Sequence, residues 1–87
     1  MLIRTAADIG HLVRDHRKRQ SLTQAELAAQ VGVSRKWIID LESGKRTAEL
    51  SLVLRTLNAL RIDLDARERA PRELPESAGA NDPGGGR

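Results

Sequence analysis

The chain has 87 residues, no cysteine, and 15 Lys+Arg against 12 Asp+Glu, a formal net charge of +3. That length fits one small domain, and the absence of cysteine removes both a disulfide framework and a thiolate metal site, which suits a reducing cytoplasm. No apolar run approaches a membrane span and the N-terminus lacks the apolar region of a secretion signal, so a cytoplasmic protein with no membrane partner is expected.

The first helix opens after Thr5. A threonine hydroxyl there accepts from an otherwise unpaired helix N–H, and Asp8, three residues on, completes a capping box. Ile9, Leu12 and Val13 form its inner stripe. Arg17, Lys18 and Arg19 crowd its last turn, where cations offset the negative end of the helix dipole. His11 and His16 fall on the outer side, spaced for neither a metal triad nor a catalytic pair.

Thr23 and Glu26 repeat the capping-box pattern and open a second helix, whose Leu27, Ala28 and Val31 fall on one face. Gly32 follows where the chain must turn sharply, and a left-handed residue is easiest for glycine. Ser34 then caps a third helix. Ile38 and Leu41 face inward, Gly44 ends it, and Arg35, Lys36, Ile39, Asp40 and Ser43 face outward. Two short helices joined by a tight turn, the second polar and basic along its leading edge, are how a helix-turn-helix presents a helix to the major groove of DNA.

A basic connection, Gly44 to Thr47, leads to a fourth helix from about Glu49 to Leu60. Its apolar stripe is expected at Leu50, Val53, Leu54, Leu57 and Leu60. Leu52 falls off that stripe, as either an ordinary surface leucine or a contact for a second subunit or partner. With no Phe or Tyr and a single Trp, the core must be built from Leu, Ile, Val and Ala. Such a core is marginal at this size and favours association.

After Leu60 the period changes. Ile62, Leu64 and Ala66 alternate with Asp63, Asp65 and Arg67, a strand pattern over about 61–67. A lone strand in a helical chain has unmade backbone bonds, and a second copy is the simplest source of a partner, giving a two-stranded ribbon across a two-fold axis. The alternative is an irregular extension with an accidental alternation. From Pro71 the chain holds three Pro, four Gly and few apolar residues. Residues 70–87 are therefore expected to be a disordered tail, leaving 1–69 as the domain.

Charge follows the same division. Residues 1–46 hold nine of the 15 basic and five of the 12 acidic residues, so the positive excess lies with the proposed reading head. That suits a polyanionic partner, although a solvated basic surface has the same composition. No serine, lysine or carboxylate set pairs a nucleophile with its base, and no glycine loop after a strand cradles a phosphate. An enzyme is not expected, nor any metal or cofactor.

Residues from about Ile9 to Leu64 resemble the lambda-repressor/Cro-like, or Xre-type, helix-turn-helix family. The resemblance is carried by Leu22-Thr23-Gln24-Ala25-Glu26-Leu27-Ala28, Val31-Gly32-Val33-Ser34, Ile38 and Leu41-Glu42-Ser43-Gly44-Lys45. More narrowly, SRKWIIDLESGKRTAELSLVLRTLNAL followed by RIDLDAR looks like the HipB-type antitoxins, although free-standing Xre regulators share most of it. The fold implied is all-α, a four- to five-helix lambda-repressor-like domain with a short C-terminal β-strand pairing across a homodimer through Ile62, Leu64 and Ala66.

The resemblance also implies roles. Ser34, Arg35 and Lys36 match the start of the recognition helix, which reaches base edges or flanking phosphates, and Ile39 and Asp40 match later groove-facing positions. Ile39 suits a thymine methyl, and Asp40 a cytosine amine if another group pairs its charge. Gln24 matches a glutamine that binds phosphate and braces the recognition helix. Lys45 and Arg46 match a loop that grips the backbone, and Arg17 and Glu42 match a partly buried ion pair. Trp37 either donates its indole N–H to a phosphate or packs at the edge of the core. Arg35 is the strongest candidate for base reading, because a cation at a helix N-terminus is unfavourable without an anion nearby.

Two functions of different class follow. One is a dimeric repressor on an inverted-repeat operator in double-stranded DNA, the antitoxin of a HipA/HipB-type pair with a HipA-type kinase toxin as partner and control over their shared promoter, or a stand-alone Xre-type regulator. The other is a protein-interaction module without sequence-selective DNA binding.

Overall fold

A computed structural model describes residues 1–70; the expected tail from Pro71 lies outside the described residues. Four helices follow one another: α1 (Ala6–Arg19), α2 (Gln24–Val31), α3 (Arg35–Glu42) and α4 (Leu50–Ala59). All four begin where the sequence signals place them. Thr5 and Thr23 each close a full capping box, with Asp8 and Glu26 respectively. The Ser34 hydroxyl accepts from the Trp37 N–H at 3.0 Å. Glu49 caps α4 without a side-chain hydrogen bond.

All four helix ends share one device. The N–H groups of Leu22, Val33, Lys45 and Ile62 reach back to the carbonyls of Arg17, Ala28, Asp40 and Leu57, pairing groups that a helix end leaves open. Each closure needs a left-handed residue. Gly32 and Gly44 supply it with φ 86° and 87°, but Ser21 and Arg61 adopt φ 58° and 61°. Those two carry strain that glycine avoids.

The core consists of Val13, Leu27, Ala28, Val31, Ile38, Leu41, Val53, Leu57, Leu60 and Ile62. Leu27 and Ile38 are fully buried, and each such side chain contributes about 1.5–3 kcal/mol. Helix α3 packs on both α1 and α2, and α4 packs on α2. At the α1–α3 crossing stands Gly10, where a Cβ would lie 2.6 Å from the Leu41 carbonyl oxygen and 2.7 Å from that of Glu42. This mid-helix glycine lets two backbones touch.

The structure corrects three expectations. The buried stripe of α4 is Val53, Thr56, Leu57 and Leu60, with Leu52 half-buried, whereas Leu50 and Leu54 are 69% and 44% exposed. Leucines stand on both sides of the helix, so the spacing gave its period but not which phase faces inward. Thr56 enters the core because its hydroxyl donates to the Leu52 carbonyl at 2.8 Å, which removes the cost of burying it.

No strand forms among the described residues. Residues 62–70 have no regular secondary structure, because a ladder needs a second strand and this single chain provides none. Ile62 is not free for a ribbon either, since it is 9% exposed and sits in the chain's own core, while Leu64 and Ala66 remain exposed. His16 is half-buried rather than on the outer surface.

Candidate nucleic-acid interface

Helix α3 is amphipathic in a way that fixes its orientation. Ile38 and Leu41 anchor it in the core, so Ser34, Arg35 and Lys36 are left exposed and Ile39 and Asp40 half-buried on the opposite side. Lys45 and Arg46, exposed in the connection just beyond α3, extend the same rim. Trp37 is half-buried and packs against the core.

A polar network passes from the interior to this face. Arg17 donates through Nε to Glu42 Oε2 at 2.6 Å and through a terminal nitrogen to Oε1 at 3.1 Å. Its other terminal nitrogen donates to the Leu22 carbonyl at 2.8 Å, which ties in the loop before α2. The Gln24 amide donates to Glu42 Oε1 at 3.2 Å, and its oxygen accepts from Arg35 at 3.4 Å. Arg17, Glu42, Gln24 and Arg35 thus form one chain of contacts through three helices. Both members of the Arg17–Glu42 pair are nearly solvent-free, with side chains 9% and 5% exposed. The hydrogen bonds it donates to Glu42 hold the Arg17 guanidinium above its ordinary pKa, so Arg17 stays charged.

Farther along α3, Asp40 is flanked by two cations. Lys36 Nζ lies 3.2 Å from Asp40 Oδ2 and Lys45 Nζ 3.5 Å from the same oxygen. The hydrogen bond from Lys36, then the charges of Lys36 and Lys45, hold the Asp40 carboxyl below the usual carboxylate range against a smaller opposing effect of desolvation. The acid on the recognition face is therefore charged and paired.

The structure brings together the expected positions Gln24, Ser34, Arg35, Lys36, Ile39, Asp40 and Lys45 on and around α3, and it separates Ile62, Leu64 and Ala66 from them. Sequence reasoning missed Arg55. This residue of α4 donates to the Val31 carbonyl at 3.1 Å and so pairs the C-terminal end of α2 at the turn between the two motif helices. It missed Gln20 also, whose amide donates to the Leu60 carbonyl at 2.8 Å and joins the ends of α1 and α4. Neither contact has a signature in local spacing. No group of three or more metal-ligating side chains occurs among the described residues, and no helix there is long and apolar enough to cross a membrane.

Residues 8–70 match the family model of the helix-turn-helix domain. An uncharacterised HTH-type transcriptional regulator of Sinorhizobium fredii is 51% identical over 63 residues, which is 72% of this chain and 83% of that protein. Among solved structures, HipB in its complex with an O4 20mer superposes with a TM-score of 0.73 at 18% identity, covering 80% of this chain and 99% of that one. The restriction-modification controller protein C.AhdI of Aeromonas hydrophila superposes with a TM-score of 0.61 at 29% identity, covering 67% and 84%.

Proposed function

The chain belongs to the helix-turn-helix domain family, and on that premise we propose that it is a sequence-specific DNA-binding regulator of transcription that represses from an inverted-repeat operator. One observation carries the reading: α3 is locked from behind by Ile38, Leu41 and the Arg17–Glu42 pair, while Ser34, Arg35 and Lys36 are exposed in front. A helix held in this way can enter a major groove without reorganising. Arg35 then reads guanine, Ser34, Ile39 and Asp40 meet neighbouring base edges, Lys36 reaches a base edge or a flanking phosphate, and Gln24, Trp37, Lys45 and Arg46 contact phosphates.

A homodimer completes the reading. Two copies related by a two-fold axis set their α3 helices roughly 34 Å apart, one helical turn of DNA. Supporting this, the N-terminal residues and the segment after α4 border an open groove of about 970 Å³ whose lining includes Met1, Leu2, Leu12, Ile62, Leu64 and Ala66. Leu2 and Leu64 are exposed there, and a second copy's segment would cover them.

The fold shared with HipB favours an antitoxin that binds a HipA-type kinase, since HipB has also been solved in a HipA-HipB-O2-O3 complex. The likeness to an HTH-type transcriptional regulator of S. fredii and to the controller protein C.AhdI supports the regulator role, with or without a toxin partner. Both readings require selective DNA binding.

A gel shift of the full chain against its own promoter, beside a scrambled duplex at moderate salt, is expected to show preference for the promoter. Equal binding to both duplexes leaves the protein-interaction reading instead. Light scattering tests the dimer: Leu64→Asp is expected to halve the mass, and an unchanged mass removes the ribbon. Co-purification with a kinase encoded beside it separates the antitoxin from the stand-alone regulator.

A further inference from the structure

We propose that Asp40 sets sequence selectivity by masking Lys36 and Lys45 in the free protein and releasing them only where a base replaces them as its partner. The inference rests on the reading of α3 as the helix that enters the groove. Its geometric basis is the position of one carboxylate, 27% exposed, between two lysine side chains that are 81% and 56% exposed. Lys36 lies one turn back on α3, and Lys45 arrives from beyond the Gly44 turn. The turn itself is fixed, because the Lys45 N–H donates to the Asp40 carbonyl at 3.0 Å and the Ser43 hydroxyl donates to it at 2.8 Å. The two cations best placed to meet a phosphate backbone are therefore already matched to an anion of the protein.

The consequence differs between DNA sequences. On an arbitrary duplex, the lysines stay with Asp40, because leaving it for phosphates would strand its carboxylate unpaired in a negative groove. That withholds two phosphate contacts wherever no base pairs the carboxylate and lowers the non-specific affinity those contacts otherwise supply. At a site with a cytosine opposite Asp40, the exocyclic amine donates to the carboxylate and takes over from the lysines. There and nowhere else the lysines are freed for phosphates, so discrimination rises. Asp40 is thus a counterweight to Lys36 and Lys45, as well as a group that meets a base.

The test uses the full chain and compares wild type, Asp40→Asn and Asp40→Glu on the operator and on a scrambled duplex across a salt series. Asn keeps the shape and removes the charge; Glu keeps the charge on a longer arm. Asp40→Asn is expected to bind scrambled DNA severalfold more tightly, with the salt slope steeper by about one to two, as each added phosphate contact contributes roughly 0.9. Its preference for the operator is expected to fall. Asp40→Glu is expected to keep the wild-type slope on scrambled DNA. If Asp40→Asn leaves slope and preference unchanged in a chain that still selects its operator, this inference alone is overturned. It is also overturned if Asp40→Asn weakens both duplexes equally, or if Asp40→Glu steepens the slope as Asn does. A wild-type chain that binds no duplex overturns the DNA-binding reading itself.

Discussion

Arg17 and Glu42 are 25 residues apart in sequence and meet through two hydrogen bonds, at 2.6 and 3.1 Å, behind the recognition face. The pair joins the last turn of α1 to the end of α3, and Glu42 passes the contact on to Gln24 and Arg35. Removing one partner leaves a buried charge. Glu42→Gln or Arg17→Met is therefore expected to cost about 3–5 kcal/mol in urea unfolding. The double change Arg17→Met with Glu42→Leu is expected to recover part of the loss, because neither charge is then stranded. A double mutant less stable than either single one would show that the pair's role is not electrostatic.

Gly10 tests the α1–α3 contact independently of charge. The atoms a new Cβ would meet at 2.6 and 2.7 Å are backbone carbonyls, which cannot rotate away. Gly10→Ala normally gains helix propensity, but here steric overlap dominates and a loss of about 1–3 kcal/mol is expected. Thermal unfolding measures it, and a raised melting temperature would mean that the helices separate at little cost.

Ser21 and Arg61 hold positive φ at the closures of α1 and α4. Ser21→Gly and Arg61→Gly relieve a left-handed conformation that costs a side-chain-bearing residue roughly 1–2 kcal/mol, partly offset by the greater freedom of glycine in the unfolded chain. Each is expected to stabilise the domain by about 0.5–1 kcal/mol. Calorimetry on the two single variants and their combination checks the gain, and a departure from additivity measures the coupling that Gln20 makes between the two helix ends through the Leu60 carbonyl.

On the proposed function, two exposed cations on and beside α3, Arg35 and Lys45, divide reading from gripping. Arg35→Ala is expected to lose about 1–3 kcal/mol of preference for the operator over a scrambled duplex. Lys45→Ala is expected to weaken both duplexes alike and to reduce the salt slope by about one. Identical losses in the two variants would refute the division of roles.

Asp8 gives a pH dependence of definite sign. Hydrogen bonds from the backbone N–H of Arg4, foremost, and of Thr5 hold its carboxyl below the ordinary value of 3.8, against a desolvation effect. A depressed folded-state pKa contributes stability above the unfolded value, and that contribution is lost as the pH falls through the folded one. Stability is thus expected to be flat in this respect near neutrality and to decline below about pH 4. Asp8→Asn should shallow that decline in acid titration followed by circular dichroism; an unchanged slope would remove Asp8 from the account.

Local order was already present in the sequence. Thr5 with Asp8, Thr23 with Glu26, Ser34 and Gly32 fix where helices begin and turn, because caps act within one helical turn of the residue that makes them. The inward pair Ile38 and Leu41 and the outward Arg35 and Lys36 follow from a period of 3.6 with only one apolar side. Where leucines lie on both sides of a helix, as in α4, only packing against α2 decides that Val53, Thr56 and Leu57 go inward and Leu50 and Leu54 do not. Spacing carries no information about contacts between distant segments. Gly10 against Leu41, Arg55 at the end of α2 and Lys45 folding back on Asp40 came from tertiary structure, and Arg17 with Glu42 was suggested by family resemblance alone. The alternation after Leu60 is a pattern that a second strand must realise, and within this chain Ile62 is drawn into the core instead. Sequence determined the helices and the outward side of α3; packing decided the inward side of α4 and which polar groups meet behind and across α3, because burial forces each to find a partner.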